Sequence, residues 1–166
     1  LRDWRGTECG HLTVAINLSG PELDDPALVQ HINAELTRCE LSPRALELEL
    51  TESSLGGDGP RHEQQLQALL NLGVPLSIDD FGKGSASLAW LGQFPLHQIK
   101  IDRNFVQRVT ASHNDSVIVR AIINLAHNLG IQVTATGVNA DAHLTFLRAH
   151  RCDFAQGELI SPPLWP

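Results

Sequence analysis

Two adjacent carboxylates, Asp79 and Asp80, close the apolar run Leu76–Ile78, and the chain then breaks into glycine at Gly82 and Gly84. Carboxylate oxygens are hard donors, so such a pair at a turn can hold one cation, or two cations close together. In a regular strand neighbouring side chains point to opposite faces. The strand must therefore end and its backbone turn before both acids can reach one ion. An Asp-Gly turn after a core strand explains the same residues with no ion at all. Polar residues stand at corresponding places elsewhere: Asn17 in Ala15–Ser19 (AINLS), Glu52 in Leu48–Ser53 (LELTES), and Lys100 with Asp102 in Gln98–Asp102 (QIKID). Each has a structural alternative. Asn17 and Ser19 can cap a strand end and its turn, Glu52 can join Glu47 and Glu49 on the polar side of an amphipathic strand, and Lys100 can pair with Asp102 or Asp79.

What decides between these readings is the set of elements that carry the residues. His11–Ser19 reads as a strand, and Asp25–Cys39 as an amphipathic helix with Leu28, Ile32 and Leu36 at helical spacing, Asp24 and Asp25 serving as its N-cap. Ala45–Ser53 alternates apolar and acidic residues and reads as a second strand. Arg61–Leu72 is helical and stops at Gly73; Val74–Phe81 is the strand of the paired acids; Ser85–Gly92 is a short helical stretch. Gln98–Val106 opens as a strand, Ser116–Leu129 is a helix ended by Gly130, Ile131–Val138 a strand, Asp141–His150 a helix and Asp153–Gln156 a last strand. His127 reads as a packing or capping residue. The tail from Ser161 is too rich in proline to extend a sheet.

Strands alternating with helices over short connections argue for a parallel sheet built of βαβ units. An open doubly wound sheet and a (β/α) barrel both satisfy the pattern. The polar residues at successive strand ends favour the barrel, which converges those ends on one mouth. A full (β/α)8 barrel takes roughly 250 residues, and the 166 residues here supply about six of the eight units. The expectation is one α/β domain over residues 1–166, a modified TIM-like barrel lacking its N-terminal strands. Unseen residues or an intermolecular contact would then cover the open edges.

Composition narrows the function classes. A net charge of −7, with no run of lysine or arginine, excludes the electrostatic footprint of a DNA- or RNA-binding protein. The eight histidines are scattered, without a metal-binding pair, and Cys9, Cys39 and Cys152 suggest neither a zinc site nor a disulfide framework. A reducing, cytoplasmic setting is expected for the chain, which has no membrane span, although a parent protein could be membrane-anchored. The absence of methionine suggests a slice of a longer protein.

Several stretches together resemble the EAL domain of bacterial cyclic di-GMP signalling proteins. They are AINLSGPELDDPALV at Ala15–Val29, LELTESSL at Leu48–Leu55 and SIDDFGKGSASLAWLGQFPLHQIKIDRNFV at Ser77–Val106, followed by weaker matches at Ala135–Gly157 and Ser161–Leu164. The resemblance implies a modified (β/α)8 barrel that hydrolyses cyclic di-GMP to pGpG with Mg²⁺ or Mn²⁺. It implies metal-binding roles for Asn17, Glu52, Asp79 and Asp80. It implies a water-orienting or activating role for Lys100, with Asp102 as its neighbouring acid, and a place near the ligand for Gln156 and Asp102. Other signalling domains of a parent protein, and a homodimer, are the implied partners. Two metals roughly 3.5–4 Å apart lower the pKa of a bridging water and clamp an in-line displacement, and a cation such as Lys100 offsets the developing charge.

The chain also departs from that pattern. No Glu-Ala-Leu precedes Asn17, and the family's AEGVE reads Ala135-Thr136-Gly137-Val138-Asn139, so Thr136 replaces a site glutamate. Glu52, Asp79 and Asp80 are then the only carboxylates left for up to two dications. Lys83 and Ser85 stand where the glycine-rich loop usually has Thr and Tyr; Glu158 follows the QG pair, and Pro162 replaces an arginine. These changes predict little or no hydrolysis. The expected role is a receptor or regulatory module, with an active phosphodiesterase and a nucleotide-free scaffold as the rival readings.

Overall fold

A computed structural model describes residues 1–4, 6–55, 60–84 and 89–164. The strands are β1 (Val14–Leu18), β2 (Leu46–Thr51), β3 (Leu76–Phe81), β4 (Gln98–Ile101), β5 (Gln132–Thr136) and β6 (Phe154–Gln156). They are hydrogen-bonded in sequence order, β1-β2-β3-β4-β5-β6. The pairs β1–β2, β4–β5 and β5–β6 are parallel. A doubly wound sheet reverses its strand order part-way; this one never does. Single winding is the connectivity of a (β/α) barrel, so the α/β barrel class expected from the sequence is the one found.

The chain divides into two compact units, Leu1–Ser77 with Ala86–Leu96, and Ile78–Ser85 with His97–Pro166. The first carries β1, β2 and the start of β3, with helices α1 (Gly20–Leu23), α2 (Leu28–Arg38), α3 (Glu52–Leu55), α4 (Pro60–Leu72) and α5 (Ala89–Gln93). Its core is built from leucine: Leu23, Leu50, Leu66, Leu69 and Leu76 are almost fully buried. Ser19 starts α1, and Glu22 reaches back to accept both the Ser19 backbone N–H and its hydroxyl, each at 2.7 Å. Helix α4 packs against α1 and α2 and ends at Gly73, whose φ of 91° suits glycine.

The second unit carries the rest of β3 with β4, β5 and β6, and helices α6 (Arg103–Val106), α7 (His113–Asn128) and α8 (Asp141–Ala149). Ser112 caps α7 by accepting the Asp115 N–H at 3.2 Å. Val119, Ile122, Ile123 and Ala126 recur at helical spacing and form its buried stripe. That stripe packs on β4 and β5, whose Ile99, Ile101, Val133 and Ala135 are fully buried. The alternate residues of the same strands, Lys100, Thr134 and Thr136, take the other face.

Several element boundaries differ from those expected, for local reasons. Helix α2 starts at Leu28, not Asp25: the Asp25 carboxylate accepts the Ala27 N–H at 2.9 Å and forms a turn ahead of the helix, which has Ala27 at its N-cap position. Strand β2 stops at Thr51, so Glu52 opens a helix instead of ending a strand. The acid-bearing side of β2 is not a solvent face either, since Glu49 is only 6% exposed and Glu47 accepts a hydrogen bond from the Ser77 hydroxyl. Residues 85–88 of the expected Ser85–Gly92 helix lie outside the described residues; α5 covers the remainder.

Candidate functional site

The second unit gathers most of the chemistry-bearing residues at the ends of its strands. Asp80 lies within β3 yet has φ of +54°, in the left-handed region that aspartate tolerates better than most residues. This breaks the regular alternation of the strand at its end. Asp79 steadies the distortion by accepting the Asp80 backbone N–H on Oδ1 at 2.8 Å. Gly82 follows with φ of 105°; a Cβ there would stand 2.8 Å from the Phe105 ring, so glycine is required for both conformation and space.

The turn brings Lys83 back over the acids. Its Nζ lies 2.9 Å from Asp80 Oδ2 and 2.7 Å from Asp102 Oδ2. Asp102 follows β4 as the N-cap of α6 and is fully buried. Its Oδ1 accepts the Asn104 backbone N–H at 3.0 Å and the Asn104 side-chain amide at 2.8 Å. Burial pushes the Asp102 carboxyl up, but the hydrogen bonds from Lys83 and Asn104 outweigh it and hold the group below the usual carboxylate range. The same contacts, to Asp102 first and then Asp80, hold the Lys83 ammonium above the ordinary lysine range.

Strand register places the other candidates. Lys100 is half-buried opposite Thr134, and Thr136 is opposite Gln156. The Thr136 hydroxyl donates to the Ile101 carbonyl at 2.8 Å. Gln156 is exposed, and its carbonyl accepts the Val138 N–H at 3.0 Å. The next residue, Gly157, passes so close to Val138 that an added Cβ would overlap its backbone. His127 stands away from these groups: it is exposed, neither packed nor capping as expected, and lies 2.9 Å from Asp153, which also accepts the Val133 N–H.

The first unit carries Asn17 and Glu52. Asn17 is exposed on β1, directly across from the buried Glu49 on β2, and Glu52 is 6% exposed at the start of α3. Asp24 contacts His62 at 3.0 Å. Three residues with parts in these arrangements were not singled out by the sequence as site groups: Lys83, Asn104 and Glu49. For Lys83 a signal existed, because it is one of only two lysines in the chain and lies three residues after Asp80 across a glycine turn.

The oxygen donors at these strand ends suit hard cations in kind. Mg²⁺ demands a near-octahedral oxygen set and Mn²⁺ favours similar ligands. Among the described residues no group of three or more His, Cys, Asp or Glu side chains is placed to hold an ion. One Asp80 oxygen is already on Lys83, one Asp79 oxygen is on a backbone amide, and Thr136 offers a hydroxyl committed to a carbonyl.

The EAL domain family model matches residues 1–163. The chain belongs to the EAL domain family. It is 41% identical over 166 residues to the cyclic di-GMP phosphodiesterase NbdA of Pseudomonas aeruginosa, an alignment covering 98% of this chain and 21% of that protein. It is 34% identical over 153 residues to the cyclic di-GMP phosphodiesterase RocR of the same organism, covering 92% and 39%. The chain thus spans well under half the length of these curated relatives. Among solved structures, the MucR phosphodiesterase in complex with c-di-GMP aligns at a TM-score of 0.92 and 35% identity, over 98% of this EAL chain and 66% of that one. BlrP1 of Klebsiella pneumoniae with manganese and the cyclic dinucleotide aligns at 0.83 and 30%, over 89% and 38%. Among the described residues of the EAL chain no helix is long and apolar enough to cross a membrane.

Proposed function

We propose that this EAL domain is a cyclic di-GMP receptor or regulatory module that hydrolyses the nucleotide slowly or not at all. The observation that carries the proposal is Thr136. It stands where the family sequence has the first glutamate of AEGVE, and its hydroxyl is spent on the Ile101 carbonyl at 2.8 Å. A neutral hydroxyl cannot neutralise a dication, and losing part of a metal centre commonly removes orders of magnitude in rate.

On this reading Asp79 and Asp80 of the second unit are oxygen donors for Mg²⁺ or Mn²⁺, weakly held, and Asn17 and Glu52 of the first unit keep the metal-binding roles that the family pattern implies. Lys100 on β4, Asp102 just beyond it, and Gln156 at the end of β6 serve the phosphates and bases of the nucleotide. The domain acts in the cytoplasm, where its free cysteines stay reduced. It passes the state of its ligand to other signalling domains of its parent, or to a second copy in a homodimer.

The test is calorimetric titration of cyclic di-GMP into the purified protein with and without Mn²⁺, followed by chromatography of the nucleotide. Binding with intact nucleotide recovered supports the receptor. Conversion to pGpG at rates typical of enzymes overturns the degeneracy and makes the domain a phosphodiesterase. Absence of binding leaves a scaffold that works through protein contacts.

A further inference from the structure

We infer that Lys83 is a tethered cation that competes with divalent metal for the Asp80 carboxylate, so that the loop carries its own counter-ion in place of part of the metal charge. The inference rests on the reading of Asp80 as a metal-site residue and concerns what now occupies it. Three observations converge. The ammonium lies 2.9 Å from Asp80 Oδ2 and 2.7 Å from Asp102 Oδ2, so it bridges two carboxylates as an ion would. Asp102 is fully buried with its other oxygen held by Asn104, so its negative charge depends on Lys83 for compensation. The chain leading into Lys83 is shaped by the left-handed Asp80 and by Gly82 against Phe105, and this path carries the ammonium back to the acids.

The consequence is an exchange. A dication that takes Asp80 must either share the carboxylate with an ammonium a few ångströms away or drive the ammonium off, stripping Asp102 of its partner. Two unit charges 4 Å apart in bulk water repel by about 1 kcal/mol. Doubling this for a dication gives ~2 kcal/mol, roughly 30-fold in a binding constant.

The experiment measures Mn²⁺ binding to the metal-free protein, by the loss of the free-ion electron paramagnetic resonance signal, for the wild type, Lys83→Thr and Lys83→Arg. Thermal melts of all three establish that each is folded. The expected result is binding about 30-fold tighter in Lys83→Thr, with Lys83→Arg staying close to wild type because it keeps the charge. Equal affinity in all three, or equal tightening in both variants, overturns the inference. A second measurement needs no variant. The chain has two lysines, Lys83 and Lys100, so acetylation followed by peptide mass spectrometry reads each separately. Saturating Mn²⁺ should speed acetylation of Lys83 severalfold relative to an equal ionic strength of KCl; bound Mn²⁺ with an unchanged Lys83 rate overturns displacement. Neither readout uses cyclic di-GMP, so a failure here is distinct from a failure of the receptor reading.

Discussion

Replacing Asp102 with alanine separates an anchoring role from a ligand-facing one. The side chain is fully buried, caps α6 through Asn104, and pairs with Lys83. Losing an aspartate N-cap costs about 1 kcal/mol. Charge-assisted hydrogen bonds are worth about 1.5–3 kcal/mol each when intact. The Lys83 contribution must be discounted, because its side chain is 43% exposed and water recovers part of the lost interaction; about 1 kcal/mol is a fair share. Asp102→Ala should therefore destabilise the fold by about 2–3 kcal/mol. Asp102→Asn keeps an acceptor for both Asn104 donors and loses only the charge, so about 1 kcal/mol is expected.

Urea unfolding followed by circular dichroism measures both, with the slope of the transition unchanged and only the midpoint moving. A cycle combining Asp102→Asn with Lys83→Met isolates the pair, and a coupling near 1 kcal/mol is expected. An Asp102→Ala cost under about 0.5 kcal/mol would refute the anchoring argument. So would an asparagine variant as damaging as the alanine, since the cap would then contribute nothing.

Three more outcomes follow from particular contacts. Gly157→Ala places a methyl into the Val138 backbone, which also exchanges hydrogen bonds with Gln156 and Leu159; overpacking there should cost about 2 kcal/mol by urea midpoint. Burial raises the Cys152 thiol from an ordinary 9.0 to about 11. Burial and the raised thiol together should make it react with iodoacetamide at pH 8 more slowly than the exposed Cys9, by roughly tenfold or more, as read by mass spectrometry. A group whose pKa is raised on folding contributes fully to stability below its ordinary value of 9.0 and loses that contribution as pH climbs through about 11. Ile16 is 50% exposed on β1, the first strand in the sheet order, beside an apolar hollow of about 340 Å³ lined by Val14, Ile32, Leu36 and Leu46. Ile16→Lys should shift the urea midpoint by no more than about 0.5 kcal/mol and leave the circular dichroism unchanged, because the side chain already stands half in water.

The sequence made the fold legible because its signals are local and periodic. The buried stripe of α7 and the alternation along β4 and β5 can be read by counting. Strand order followed from short connections once the polar residues were seen to recur at strand ends. The boundaries that moved did so where a single side chain rewired the backbone, as Asp25 does before α2 and Asp102 does after β4. The candidate site was legible only as a set of residue types. What escaped was how those residues are used, because that depends on contacts across a turn. Lys83 read as a soft departure in a glycine-rich loop, and only the left-handed turn at Asp80 reveals that its ammonium returns onto the acids. Thr136 read as a missing carboxylate; the register of β4 and β5 adds that its hydroxyl is already engaged with Ile101. Both findings have one physical origin. On the reading proposed above, a threonine at position 136 offers less negative charge to a dication than a glutamate would, and Lys83 beside Asp80 lowers that charge further. The two substitutions therefore act in the same direction on metal affinity, and reverting one alone should restore less than reverting both. Thr136→Glu with Lys83→Thr should bind Mn²⁺ more tightly than either single variant. A double variant no better than Lys83→Thr would mean that a glutamate at position 136 does not reach the ion that Asp80 holds.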